Sequence, residues 1–424
     1  MNGPLPSDKP IFAYYGDDFT GSTDALEALA VNGVETVLFL KTPDEGDLRT
    51  FGRCRAIGIA GDSRSRSPEW MSAELPAIFR LLREIGAPVV QYKVCSTFDS
   101  SAAAGSIGRT LEIGLDVFGG DWAPVVPAAP LLQRYVVFGN MFAADNGATY
   151  RIDRHPTMKC HPVTPMNESD LRLHLARQTS LPIGLVDLPS LRARRWEVPE
   201  GAKAVVFDGL DQADLARTAQ FLWETRTTPQ TFAVGSSGFT YGMLDYWRSQ
   251  GWLPEPVPCS PTAATDRLLV LSGSCSPATA RQICAALRSQ FHGIRLDAAQ
   301  SDWPAAQNEA VKQLAAGRSV ILFTALGPTD RAEVADRQDL AASMGRLLRN
   351  VIQESGVGRV VVAGGDTSSH AVRELNLTAL TYAAPLARGV PLCRAHGWNG
   401  GLELALKGGQ VGSDDFFQEV MSCA

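Results

Sequence analysis

The sequence predicts an α/β protein of two domains, each built on a mostly parallel sheet covered by helices. Three observations lead there. Short apolar, β-branched runs alternate with stretches of helical periodicity along most of the 424 residues. A proline cluster, Pro254-Glu255-Pro256-Val257-Pro258-Cys259-Ser260-Pro261, breaks that alternation and can continue neither strand nor helix. Several strands end in turns rich in Gly, Ser, Thr and Asp, where open α/β sheets hold their ligands.

Composition narrows the setting. Apolar residues make up 45% and charged residues 20%, ordinary for a globular protein, and the length exceeds one typical core. A formal charge of -6 speaks against a nucleic-acid partner. The start of the chain, with Pro4, Pro6, Asp8 and Lys9, has no secretory apolar region, and no apolar run reaches membrane-spanning length. A cytoplasmic protein without a membrane partner is expected. The eight cysteines form no C-x-x-C pair, so reduced thiols are expected rather than disulfides or zinc.

In order along the chain, strands are expected at Ile11–Tyr15, Thr36–Leu40, Arg55–Ala60, Val89–Val94, Tyr135–Phe138, Ile183–Val186, Ala204–Phe207 and Thr231–Val234. After the proline cluster come Leu268–Leu271, Val320–Thr324 and Arg359–Ala363. Leu340, Met344, Leu347, Leu348, Val351 and Ile352 recur at helical spacing within 331–354, which marks a core face. The expected domains are 1–254 and 267–424, joined by a linker at 255–266, with a ligand cleft between them.

The polar turns carry the chemistry. Asp17-Asp18 follows the first strand, and Thr20-Gly21-Ser22-Thr23 opens a helix expected over Asp24–Asn32. Capping by Ser22 or Thr23 would account for the hydroxyls but not for two acids in a row. One Asp can face a ligand while the other anchors the turn. Arg64 or Arg66 in Asp62-Ser63-Arg64-Ser65-Arg66 can pair with a carboxylate, although a surface arginine is commoner. Lys93 beside Ser96, Thr97 and Asp99 suits a small polyhydroxylated acid: the charge grips a carboxylate and the hydroxyls pair with sugar hydroxyls. His155 and His161 lie in a proline-flanked stretch whose spacing suits a loop or substrate contact better than a metal.

In the second half, Val360-Val361-Val362-Ala363 delivers Gly364-Gly365-Asp366-Thr367-Ser368 to a helix start. Glycines let a ligand approach the backbone, and helix-start amides favour an anion such as a phosphate. Asp366 can hold a divalent metal or accept a proton; an ordinary capped turn is the plain alternative. Ser272-Gly273-Ser274 and Lys407-Gly408-Gly409 are two further small-residue turns after apolar segments. No Walker A or Rossmann signature is present.

Taken together, Gly16-Asp17-Asp18-Phe19-Thr20-Gly21, Lys93-x-x-Ser96-Thr97-Phe98-Asp99-Ser100, Ser272-Gly273-Ser274, Gly364-Gly365-Asp366-Thr367-Ser368 and Lys407-Gly408-Gly409 resemble the four-carbon acid sugar kinase family. The motifs stand in the family's order from about residue 11 to 417. The K-x-C-S-T-F-D-S form and His161-Pro162-Val163-Thr164-Pro165-Met166 look like the 3-oxo-tetronate kinase branch. Departures at Gly16, at Asp62 and at Asp366 bear on the substrate, and a kinase of a branched acid sugar such as 3-oxo-isoapionate is the rival. The resemblance implies an N-terminal acid-sugar-binding domain, a C-terminal ATP-binding domain, and phosphorylation of a terminal hydroxyl. It assigns Asp17, Arg64, Lys93, Ser96 and Thr97 to the acid sugar, with Asp17 by preference, or Asp18, accepting the hydroxyl proton. Ser272, Ser274, Gly364, Gly365, Asp366, Thr367, Gly408 and Gly409 would cradle ATP, with Mg2+ held through Asp366. A homodimer is allowed for. Two other classes stay open, a magnesium-dependent phosphohydrolase using Asp17 and Asp18, and a non-catalytic sugar-acid-binding protein.

Overall fold

The computed structural model describes residues 3–145, 147–161, 163–256, 262–330 and 337–422, with residues 337, 338 and 365–368 in backbone only. The strands in chain order begin with β1 (Phe12–Gly16), β2 (Thr36–Phe39), β3 (Ala56–Ala60), β4 (Val89–Lys93), β5 (Ala123–Val126) and β6 (Arg134–Val137). Next come β7 (Asn140–Asp145), β8 (Ala148–Arg151), β9 (Ile183–Val186), β10 (Ala204–Phe207), β11 (Thr231–Gly235) and β12 (Leu269–Ser272). The last six are β13 (Phe291–Arg295), β14 (Ser319–Phe323), β15 (Arg359–Ala363), β16 (Ala379–Ala387), β17 (Val390–His396) and β18 (Leu402–Lys407). They fall into two compact units. The first comprises Met1–Thr36 and Gly52–Val257, the second Val37–Phe51 and Pro258–Ala424.

In the first unit the strands run in the order β3-β1-β4-β11-β5-β10-β9, all parallel. β1, β3 and β4 are buried at every position, as β-branched and aromatic runs must be when helices cover both faces. Phe12, Phe239, Trp223 and Trp247 pack ring on ring beneath the sheet. The run expected at Tyr135–Phe138 does not join this sheet. It supplies β6 of a small antiparallel sheet with β7 and β8. The parallel strand β5 escaped the sequence pattern because Pro124 lacks a ladder donor and demotes any such run.

In the second unit, β13-β14-β12-β15-β18 are parallel, and β17, β16 and β2 extend the sheet antiparallel. Residues 37–51, which carry β2 from Val37 onward and the helix Glu45–Thr50, thus pack with the second unit. Its core gathers Val270, Ile283, Phe291, Ile321, Val361, Ala405, Phe416 and Phe417. The long helix is described over Arg337–Ser355, with Met344, Leu347, Leu348, Val351 and Ile352 buried along the expected stripe. Residues 331–336 and 257–261, parts of the expected helix and linker, lie outside the described residues. Among those described, no helix is long and apolar enough to cross a membrane, and cysteines 54, 95, 160, 275 and 284 are free.

Candidate active site

In the first unit the strand order switches at β1, with β3 on one side and β4 on the other. The crevice outside the carboxyl end of such a strand is where parallel sheets take ligands. Gly16 is in register with both Ala60 and Lys93, which brings the three following turns to one edge. Backbone bonds lock them: Asp17 N donates to Lys93 O at 2.9 Å, and Arg64 N donates to Asp17 O at 3.1 Å.

The two adjacent acids have different surroundings. Asp18 is the N-cap of the helix Phe19–Ala30, its Oδ1 accepting from Gly21 N at 2.5 Å. Its Oδ2 pairs with Arg64 Nη1 at 2.7 Å and accepts from Thr20 Oγ1 at 3.1 Å. This corrects the expected capping by Ser22 or Thr23. Both lie inside the helix, donating to Asp18 O and Thr20 O, and the extended backbone that a cap needs occurs at Asp18. Asp17 is 3% exposed, and its Oδ1 has no hydrogen-bond partner. Burial first, then the charge of Asp18, pushes its carboxyl up to about 8, against the pull of Arg64 and Lys93.

Around these acids sit two buried cations. Lys93 Nζ pairs with Asp24 Oδ2 at 3.2 Å and donates to Val94 O at 3.0 Å. Burial pushes the ammonium down, but Asp24, Cys95, Asp17 and Asp18 together carry it above its ordinary value. Arg64 reaches from Asp18 toward Asp99, 3.9 Å from its Nε. Arg66, the other arginine of that turn, is committed to Asp62 at 2.9 Å and lies over Trp70. Asp99 accepts from Thr97 Oγ1 at 2.5 Å and from Thr164 Oγ1 at 2.9 Å, with His161 Nδ1 at 4.0 Å. Burial raises the Asp99 carboxyl, yet Arg64, His161 and the two hydroxyls outweigh it and hold the group below its usual range. Ser96 is half-buried on the same turn. Asp17, Asp18, Arg64, Lys93, Thr97 and Ser96 therefore share one end of the sheet. The sequence pattern did not single out Asp24 or Thr164, whose partners are distant in the chain.

The second unit repeats the arrangement. The strand order switches at β12, which lies between β14 and β15. Ser272 is in register with Ala363, and Ala363 with Lys407, so the three glycine- and serine-rich turns also meet at one edge. Gly364 has φ 118, open to glycine but costly for any other residue, and leads into the helix Gly365–Arg373. The side chains of Asp366 and Thr367 lie outside the described residues. Ser272 Oγ accepts from Ser274 N at 3.4 Å, Ser274 Oγ from Ser276 N at 3.2 Å, and Ser276 caps the helix Pro277–Leu287. Gly409 closes on that chain of hydroxyls: a Cβ there would fall 2.9 Å from Ser274 Oγ. Gly408 has more room, with only Val411 within contact of such a Cβ. Helix-start amides beside backbone with little side-chain cover make a seat for an anion. Among the described residues, no three His, Cys, Asp or Glu side chains converge as a metal cage.

A model of a sugar-binding N-terminal domain matches residues 12–243, and one of a nucleotide-binding C-terminal domain matches residues 269–417. A 3-oxo-isoapionate kinase of Paraburkholderia graminis is 46% identical, over 96% of this chain and 93% of that protein. The chain belongs to the four-carbon acid sugar kinase family. A 3-oxo-tetronate kinase of Pseudomonas fluorescens is 30% identical over 98% of both chains. The crystal structure of a Haemophilus influenzae protein matches with a TM-score of 0.71 at 26% identity, covering 96% of this chain and 98% of that one. As a member of this kinase family the protein is a phosphotransferase acting on a sugar-acid hydroxyl, and the two matched regions coincide with the two clusters of polar turns.

Proposed function

We propose that the protein transfers the γ-phosphoryl group of ATP to a hydroxyl of a 3-oxo acid sugar, with the branched 3-oxo-isoapionate as preferred acceptor. One observation carries the choice of acceptor: 46% identity to a kinase of that compound, against 30% to a 3-oxo-tetronate kinase over a similar span. A four-carbon 3-oxo-tetronate is the second reading. ADP release should be measured across both acceptors. A higher kcat/KM for 3-oxo-isoapionate is expected, a reversed preference moves the assignment to tetronates, and no release with either acceptor removes both compounds as the acceptor.

The geometry supports the following roles. Arg64 and Lys93 supply the positive charge for the acid's carboxylate, and Ser96 and Thr97 meet its hydroxyls. Asp17, whose Oδ1 lacks a partner, accepts the hydroxyl proton as the oxygen attacks phosphorus. Asp18, with both oxygens engaged, acts through Arg64 and the helix it caps rather than on the substrate. Ser272, Ser274, Gly364, Gly365, Gly408 and Gly409 cradle the nucleotide. Magnesium ordinarily needs only one or two protein carboxylates beside phosphate oxygens, a demand that Asp366, with Thr367 beside it at the helix start, would meet. Bound there, the metal would neutralise phosphate charge. Because the transferring group needs little covalent help, holding the acceptor and removing its proton is the main work of these side chains.

A further inference from the structure

Lys407 closes β18 beneath the Gly408–Gly409 turn and is fully buried. Its Nζ donates to Thr279 Oγ1 at 3.1 Å and to Gly408 O at 3.0 Å, and lies 3.5 Å from Gly409 O. The Thr279 hydroxyl in turn donates to Gly409 O at 2.8 Å. Three acceptors around one amine match the three N–H groups of an ammonium. A neutral amine would point its lone pair at one of them. The arrangement therefore wants the charged form.

Nothing nearby compensates that charge among the described residues. The helix Pro277–Leu287 offers Thr279, the helix Phe416–Ser422 offers the Phe416 ring at 5.9 Å, and β15 offers the backbone at Ala363, while of the helix Gly365–Arg373, which also packs on β18, the side chains at 365–368 lie outside the described residues. Charged groups of the same elements are engaged elsewhere. Arg281 pairs with Asp414, Arg359 with Glu403, and Glu419 accepts from Ser413. A buried cation without a counter-charge loses most of its hydration for little return. We propose that Lys407 is a positioning residue of the nucleotide pocket, whose ammonium ties the Gly408–Gly409 turn to Thr279 and is completed by a proton taken up when a nucleotide polyphosphate binds. Burial alone brings the amine down to about 7, which leaves it mostly neutral in mildly alkaline solution until an anion arrives.

The inference rests on the nucleotide reading of the second unit, and one experiment separates the two. ADP binding to the full-length protein is followed by calorimetry near pH 8 in buffers of different ionisation enthalpy. About 0.5–0.9 proton should be taken up per ADP bound, and ADP should bind about tenfold tighter at pH 7 than at pH 9. Lys407→Gln should abolish the uptake and flatten the pH dependence, while the thermal shift given by the acid sugar stays unchanged. Lys407→Arg should also take up no proton, yet keep tight binding at pH 9. ADP bound by the wild type with no proton uptake overturns the role of Lys407 whether or not the variants fold, as does uptake that persists in Lys407→Gln. Absence of any ADP binding by the wild type overturns the nucleotide reading itself, and this inference with it.

Discussion

Replacing Asp17 by Asn should make the unliganded protein more stable and the enzyme much slower. The folded protein holds the Asp17 proton up to about pH 8, whereas an unfolded chain releases it near 3.8. Between these values the native state binds more protons, so this group's contribution to stability is fully present below about 3.8 and is lost as pH rises toward 8. Each unit of pH across that window costs about 1.4 kcal/mol, or about 4 kcal/mol by pH 7. Relaxation of the site and entry of water around the charged form reduce this, which brings the expected effect to about 2–4 kcal/mol. An amide has no charge to bury, so Asp17→Asn should match the wild type near pH 4 and pull ahead of it steadily up to pH 8. Urea denaturation of both proteins at several pH values in that window measures the gap. Steady-state turnover of the same samples should fall by at least about 10²-fold, the low end for loss of a general base. A gap that does not change with pH refutes the buried, proton-holding Asp17. Turnover within a few-fold of wild type refutes its role as base and moves the search to Asp99.

Further predictions follow from the same geometry. The kcat/KM profile should rise through about pH 8 as Asp17 loses its proton, and this limb should vanish in Asp17→Asn. Lys93→Met should raise the KM for the acid sugar about 10–100-fold and leave ADP affinity alone, as measured by kinetics and calorimetry. It should also cost about 3 kcal/mol of stability by stranding Asp24, and Asp24→Asn added to it should restore stability in urea melts but not affinity. Gly409→Ala places a methyl 2.9 Å from Ser274 Oγ and should weaken ADP binding about tenfold while acid-sugar binding is unchanged.

Local patterns made the strand-to-turn positions legible. An aromatic or β-branched run leading into Asp-Asp or Gly-Gly can be recognised within ten residues; the turns after β1 and β4 meet at one sheet edge in the first unit, and those after β12, β15 and β18 at one edge in the second. What escaped was settled by distant partners. Asp24 sits where a helix was expected to begin, and only the fold brings Lys93 to it. The cap was misplaced because a run of Thr, Ser and Thr offers several hydroxyls, while the choice is made by the extended backbone at Asp18. The strands β16 and β17 were missed because their residues alternate weakly and carry Pro385 and Pro391, yet they pair antiparallel with one another over most of their length.

The strand β2 pairs with β16, at Val37 with Thr381 and at Phe39 with Ala379. A ribosome delivers the first long before the second. With about 340 residues between them and synthesis at about 5–20 residues per second, β2 waits roughly twenty to seventy seconds for its partner. During that time an apolar segment has its hydrogen-bonding edge unfilled, which is the condition under which nascent chains recruit chaperones or aggregate. It also follows that cutting the gene at the proline cluster would not give a complete second unit. The carboxyl-terminal piece would lack residues 37–51, and supplying them in trans as a peptide, or by circular permutation, would be the way to recover it.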